Sequence, residues 1–408
     1  MIHFFASKNA SAEKHKLAMQ AWDKLIARQD LGFTQLPLRN ENWLSAVEFA
    51  NQLKKKSKHL IVVGLGGSAL GGKCLVESLG DSSRVLFLYN TDPDTVDKVL
   101  SNEQYLDHSH FLFISKSGGT LELACIIDIL QSQLTKRKRK LSDAISVITE
   151  EKASSLYSWA KEHSISMLAH PKDVGGRFSA FTAVGIVPAV FSGVSPDELQ
   201  KGTQLGLTQS ELVVQLAVFY ADSFARGESI SAFWSYIDQM ASFLPWLIQL
   251  WAESLAKKSD RAGQPAPAVS TPVSYLGTTD QHSVLQQLME GAQDKSICFI
   301  RNRTYRHAGE ILSGVGLPGF EYLSDKKLGH VFQTQSLATE EALRVAGQTT
   351  LSLELDELSP RSLAELMVVF ELLIGVMGEY LNINAFDQPG VELGKKITKE
   401  KLQKNSSL

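Results

Sequence analysis

The chain is short of nearly everything that marks a secreted, membrane-bound or metal-centred protein. Only three cysteines, Cys74, Cys125 and Cys298, occur in 408 residues. Three is an odd number and no disulfide framework, which fits a reducing, cytoplasmic compartment. The ten histidines show no metal-ligand spacing, so no zinc or other metal centre is expected. No hydrophobic run is long enough to span a bilayer: the most apolar helix candidate, 366–377, is interrupted by Glu371. The opening MIHFFASKNASAEK has no basic stretch followed by a long apolar one, so it does not read as a secretory signal. A net charge of -3 argues against a dedicated nucleic-acid binder. The lysine-rich stretches 54–58 and 136–140 read instead as helix ends, where cations suit the negative end of the dipole. Internal repeats and low-complexity segments are missing too.

What remains is an ordinary globular composition, 44% apolar and 21% charged, in a chain too long for a single ordinary core. After a leader of about fifty residues that reads as helical, short apolar runs at 60–63, 85–89, 111–114, 145–148 and 165–168 alternate with helix-length segments. That alternation predicts a parallel sheet covered by helices. A helical passage over 196–227 leads into a second unit with strands at 230–236, 296–301 and 350–355, interleaved with helices such as 359–381. Ser359 before Pro360 reads as a cap and a first-turn proline. The segment 264–272, QPAPAVSTP, reads as a loop, and the charged tail after Leu393 as a terminal helix frayed at 405–408.

Chemistry concentrates in FLFISKSGGTLE, 111–122. Four apolar residues end a core strand, Ser115, Lys116, Ser117, Gly118, Gly119 and Thr120 follow, and a helical pattern begins at Leu121. Hydroxyls, a cation and mobile backbone at a helix start suit a phosphate. Glu122 reads as first-turn helix chemistry, a carboxylate at the positive end of the dipole. A second glycine-rich turn, 64–74, follows the first strand and contains Gly67 and Ser68. It nearly matches two phosphate motifs. A dinucleotide fingerprint would want glycine where Ala69 stands, although Asp92 lies near the place of its acidic partner. An ATP phosphate loop would want serine or threonine where Cys74 stands. Together the two turns read as the lips of one crevice.

GLGGSALGG and SKSGGTLE, in that order, resemble the two sugar-phosphate loops of the glucose-6-phosphate isomerase family, whose members are built from two sugar isomerase (SIS) domains. DVGGRFS at 173–179, QLWAESLAK at 249–257, GTTDQHSVLQQLMEG at 277–291 and FDQPGVELGK at 386–395 are similar to later motifs of the same family, and the length resembles its shorter bacterial branch. The resemblance implies two doubly wound, mainly parallel domains, 49–195 and 196–385, with a helical leader, 1–48, and a C-terminal segment, 386–408. It implies the interconversion of glucose 6-phosphate and fructose 6-phosphate through an enediolate, a step shared by glycolysis and gluconeogenesis, with no cofactor.

By the same resemblance, Glu253 shuttles the proton between C1 and C2, and Arg177 faces the enediolate oxygens. His282 opens the ring with the help of Lys395, and Gln388 contacts the ligand. Gly67, Ser68, Ser115, Ser117 and Thr120 border the phosphate, with Lys116 near it, and Glu122 borders the site as a supporting residue. Glu253 stands at the end of an aromatic helix, 243–251, and burial there is expected to raise its pKa. His282 is expected to begin an amphipathic helix with Val284, Leu285 and Leu288 on its apolar face. A two-fold homodimer with His282 donated across the interface is also implied. Two residues depart from the family pattern, Ala256 for a glycine and Pro389 for an aromatic, and neither removes a reacting group. The rival from another class is a sugar-phosphate-binding regulator, which would have no need for Glu253, His282 and Lys395 together. A nearer rival is an isomerase that also takes mannose 6-phosphate.

Overall fold

A computed structural model describes residues 2–6, 11–305 and 307–404. Its strands, in chain order, are β1 (Ile2–Ala6), β2 (His59–Val63), β3 (Val85–Leu88), β4 (Ser109–Ile114), β5 (Ile145–Thr149), β6 (Ser166–Ala169), β7 (Ile230–Tyr236), β8 (Thr271–Leu276), β9 (Lys295–Asn302) and β10 (Thr349–Leu355). They form two five-stranded sheets, β3-β2-β4-β5-β6 and β1-β10-β9-β7-β8. The first is wholly parallel; the second is parallel except for β1, which runs antiparallel to β10. Every residue of β4, β5 and β9 is buried, which explains why their central residues are largely apolar on both faces rather than alternating with polar ones.

The leader departs from its helical expectation at the start. Ile2–Ala6 is a strand, followed by helices Ala12–Ile26 and Asn40–Lys56. The expected loop 264–272 also gives way to β8 at Thr271. The passage over 196–227 is two helices, Pro196–Leu207 and Ser210–Ala225, and the terminal helix is Glu392–Lys404. The expected fraying at 405–408 lies outside the described residues. No helix among the described residues is long and apolar enough to cross a membrane.

One apolar core spans both sheets, with the Pro360–Tyr380 helix at its centre. Ser359 and Ser362 form a capping box at its start, with Pro360 in the first turn. The Pro196–Leu207 helix approaches it closely because a Cβ at Gly202 would lie 2.2 Å from the Arg361 carbonyl oxygen. Glu371 is inside this core at 2% exposure, and its Oε1 has no hydrogen-bond partner. Burial raises its pKa well above the ordinary carboxylate range. The folded state therefore keeps a proton that the unfolded chain loses as pH rises through the ordinary glutamate range, so stability falls with increasing pH. Glu371→Met should match wild type in thermal melts near pH 4 and melt higher than it at pH 8. A melting difference that did not change with pH would contradict this.

Candidate active site

The first sheet reverses its direction of growth between β2 and β4, neighbours from which the chain runs outward to opposite edges. Ligands of open α/β sheets sit beyond the strand carboxyl ends at such a switch point. Both hydroxyl- and glycine-rich loops leave from there: the turn Gly66–Ser68 follows β2, and residues 115–120 follow β4.

Within the second loop, Ser115 is buried, and its Oγ accepts the Gly118 N–H at 3.1 Å and bonds Thr120 Oγ1 at 2.8 Å. It shapes the loop from inside. Gly118 has φ +67°, and a Cβ there would lie 2.1 Å from Ser154 Oγ, so glycine is required. Ser117 is exposed and Thr120 half-buried. The helix Leu121–Lys136 that follows has no side-chain cap, and its first N–H groups are free to meet an anion. Glu122 lies half-buried in its first turn. Lys116 is turned elsewhere: its Nζ donates to the carbonyls of Val174 at 2.8 Å and Lys172 at 3.2 Å.

The first loop rests against the turn Gly176–Phe178. A Cβ on Gly67 would lie 2.2 Å from the Gly176 oxygen, and Ser179 Oγ donates to the Gly67 carbonyl at 3.1 Å. Ser68 stands half-buried on the same lip. The two rival motif readings of this turn fail on geometry. Cys74 is fully buried, with burial pushing its thiol up to about 12, and Lys73 is paired with Glu77. Asp92 caps the Pro93–Leu100 helix through the Thr95 N–H.

Arg177, 5% exposed, is the hub. Its Nε donates to Ser254 Oγ at 2.7 Å, Nη2 to the carbonyls of Ala385 at 2.6 Å and Asp387 at 3.1 Å, and Nη1 to Gln388 Oε1 at 3.0 Å. Nη1 also lies 3.3 Å from Glu253 Oε2. Burial lowers the Arg177 pKa, with Glu253 and Asp387 acting against that. Phe178 lies under the guanidinium and packs on Phe33 and Phe386.

Glu253 occupies the last turn of the Phe243–Leu255 helix, but not on its apolar face. Its side chain is 31% exposed, so the expected burial among the aromatics is not what the fold provides. Trp246, Leu250 and Trp251 face the core, while Glu253 points with Gln249, one turn earlier, toward Arg177 and the first loop.

Gln249, Ser254, Lys257 and Asp387, which the sequence did not single out, complete the cluster. Gln249 donates to Glu253 Oε2 at 3.4 Å, and its buried Oε1 has no partner. Ser254 holds Arg177 Nε. Lys257 Nζ donates to the backbone carbonyls of Glu253 at 3.1 Å and Asp387 at 2.5 Å, and pairs with the Asp387 carboxylate at 3.0 Å. Helical spacing was the available signal, since Gln249 and Lys257 are each four residues from Glu253.

The fold thus gathers Gly67, Arg177, Glu253 and Gln388 into one cluster, tied to the phosphate-type loop through Lys116 and residues 172–174. It does not bring His282 or Lys395 to that cluster within one chain. His282 is exposed and ends a short turn, Thr279–His282, rather than beginning the helix, which runs Leu285–Glu290. Lys395 is exposed on the terminal helix and pairs with Glu392 at 2.7 Å.

An anion loop at a sheet switch point, beside a carboxylate paired with a buried guanidinium, defines an α/β enzyme that works on phosphorylated small molecules. Comparison with known proteins narrows the class. A family model described as phosphoglucose isomerase matches residues 41–407. Glucose-6-phosphate isomerase of Carboxydothermus hydrogenoformans is 31% identical, covering 95% of this chain and 88% of that protein. Glucose-6-phosphate isomerase of Thermus thermophilus is 33% identical over 95% of this chain and 94% of its own. The crystal structure of a hypothetical protein from Thermus thermophilus superposes with a TM-score of 0.87 at 30% identity, covering 96% of each chain. The chain belongs to the phosphoglucose isomerase family.

Proposed function

We propose that this chain interconverts glucose 6-phosphate and fructose 6-phosphate, with Glu253 carrying the proton between C2 and C1. The observation that carries the reading is the Glu253 carboxylate, 3.3 Å from the Arg177 guanidinium and joined through Gln249 to the glycine-rich turn after β2. Glu253 removes the C2 proton of the open-chain aldose, and the electron pair moves toward O1 to form a cis-enediolate. It then returns the proton to C1 as the hydroxyl proton passes from O2 to O1, so the sugar is oxidised at C2 and reduced at C1 with no external reductant. Arg177, always charged and fixed by five donated bonds, faces the developing oxyanion as a fixed positive charge, and the Nη1 bond to Glu253 is the one exchanged as that carboxylate takes up the proton. Ser68, Ser117, Thr120 and the uncapped helix start hold the phosphate, with Ser115 bracing the loop from beneath. Gln388, fixed by Arg177, contacts the sugar. A coupled assay of the purified protein with fructose 6-phosphate tests the reaction; phosphate binding without turnover would favour the regulator.

Ring opening falls to His282, assisted by Lys395. We place His282 in the site of a partner copy, an arrangement supported by its exposure and by its separation from the Arg177 cluster within its own chain. Mixing inactive Glu253→Gln protein with inactive His282→Ala protein under subunit exchange should restore part of the activity, because each heterodimer carries one intact site. Mixed dimers that form and stay inactive would return His282 to its own subunit. The partition at 49–195 and 196–385 is supported by the sheets, whose strands fall within those limits except for β1. Three free cysteines, two of them buried, fit a cytoplasmic setting.

A further inference from the structure

Lys116 lies between two phosphate-loop serines, where a cation would ordinarily be assigned to the anion. Its ammonium is already committed. The three donors of a lysine are matched by the Val174 carbonyl at 2.8 Å, the Lys172 carbonyl at 3.2 Å and Glu150 Oε1 at 3.4 Å. Glu150, with its side chain 7% exposed, is held in turn. Its Oε2 meets Lys152 at 2.5 Å, and its own N–H donates to the Lys116 carbonyl at 3.3 Å. The carbonyls that receive Lys116 belong to the stretch entering Gly175, Gly176 and Arg177. Other anchors of that stretch come from elsewhere: Arg39 grips Asp173 at 3.1 and 2.6 Å, and the Gly32 N–H donates to the Asp173 carbonyl at 2.8 Å. Lys116 is the anchor that starts from the phosphate loop itself.

We infer that Lys116 is a positioning residue, a strap braced by Glu150 that carries engagement of the 115–120 loop by phosphate across to residues 172–174, and so to Arg177. Its substrate relevance rests on the isomerase reading; its physical core, coupling between loop and turn, does not. A dianion that settles on Ser117, Thr120 and the helix start draws the loop tight. Because the ammonium spans the gap, the backbone ahead of Arg177 is drawn with it. Phosphate binding energy is thereby spent on placing the guanidinium, not only on holding the sugar.

The test is amide hydrogen exchange of residues 172–179 with and without inorganic phosphate, in the full chain. In wild type and in Lys116→Arg, phosphate should slow exchange of these amides by at least about threefold, as expected when an opening motion is suppressed. In Lys116→Met and in the milder Glu150→Gln, phosphate should still bind with an affinity within about threefold of wild type, but protection at 172–179 should be lost. Lys116→Met should also lower kcat for fructose 6-phosphate by roughly ten- to a hundredfold, the usual cost of a misplaced catalytic group, and Lys116→Arg should recover most of it. Loss of phosphate binding itself in Lys116→Met would make the lysine a ligand and overturn the strap. So would protection that persists in both Lys116→Met and Glu150→Gln. Wild-type protein that shows the coupling but no turnover would overturn the isomerase reading and leave the strap standing.

Discussion

Glu253→Gln should bind fructose 6-phosphate nearly as well as wild type while its kcat falls by roughly 10²–10⁴-fold, the range general base catalysis supplies. The amide keeps the size of the side chain and still presents an oxygen toward Arg177 Nη1, now 3.3 Å from the carboxylate. What it cannot do is accept a proton from carbon. Arg177 keeps its bonds to Ser254, Gln388 and the 385 and 387 carbonyls, so the site should stay assembled and the melting temperature should stay close to wild type. Steady-state kinetics beside a ligand-binding titration separate the two effects. A variant with near-native turnover would move the base elsewhere, and Glu290, exposed on the Leu285–Glu290 helix, would be the next residue to test.

The Ser117→Ala, Thr120→Ala double variant should show the opposite pattern, with affinity lost and stability kept. Hydrogen bonds to a charged partner are worth about 1.5–3 kcal/mol each, so losing two should weaken fructose 6-phosphate binding by two orders of magnitude or more. The structure dictates the choice of residues. Ser115 is buried beneath the loop and accepts the Gly118 N–H, so replacing it would disturb the backbone as well as the ligand. Ser117 faces outward and gives up only a long, exposed 3.4 Å bond from the Gly119 N–H, and Thr120 gives up only its 2.8 Å bond to Ser115. Unchanged affinity in a well-folded double variant would show that the loop has a structural role only.

The first sheet was legible because parallel strands covered on both faces become largely apolar runs, unbroken at 111–114 and interrupted only by Ser146 at 145–148. β1 was not legible, because its sequence partner, β10, lies at the other end of the chain and nothing local announces the pairing. β8 escaped because it is an edge strand, contains Pro272 and is nowhere more than half-buried. In the site, the motifs led to Glu253 and Arg177, but neither composition nor spacing showed which way Glu253 points. Aromatic neighbours along the chain suggested burial, whereas on the helix surface they occupy another face. Gln249 and Lys257 lay within the quoted motif, and only the fold shows one touching the carboxylate and the other the Asp387 backbone. Lys116 is the sharpest case: its place in sequence suggests an anion ligand, and its ammonium instead meets the backbone leading to Arg177.

The most direct measurement is the isomerisation of fructose 6-phosphate in deuterium oxide, with the glucose 6-phosphate product examined by proton NMR. A carboxylate that carries the proton through an enediolate exchanges some of it with solvent, so the product should carry deuterium at C2, and Glu253→Gln should form almost none of that product. Product with no solvent deuterium at C2, formed at a comparable rate by both proteins, would contradict the assignment of Glu253 and the enediolate together.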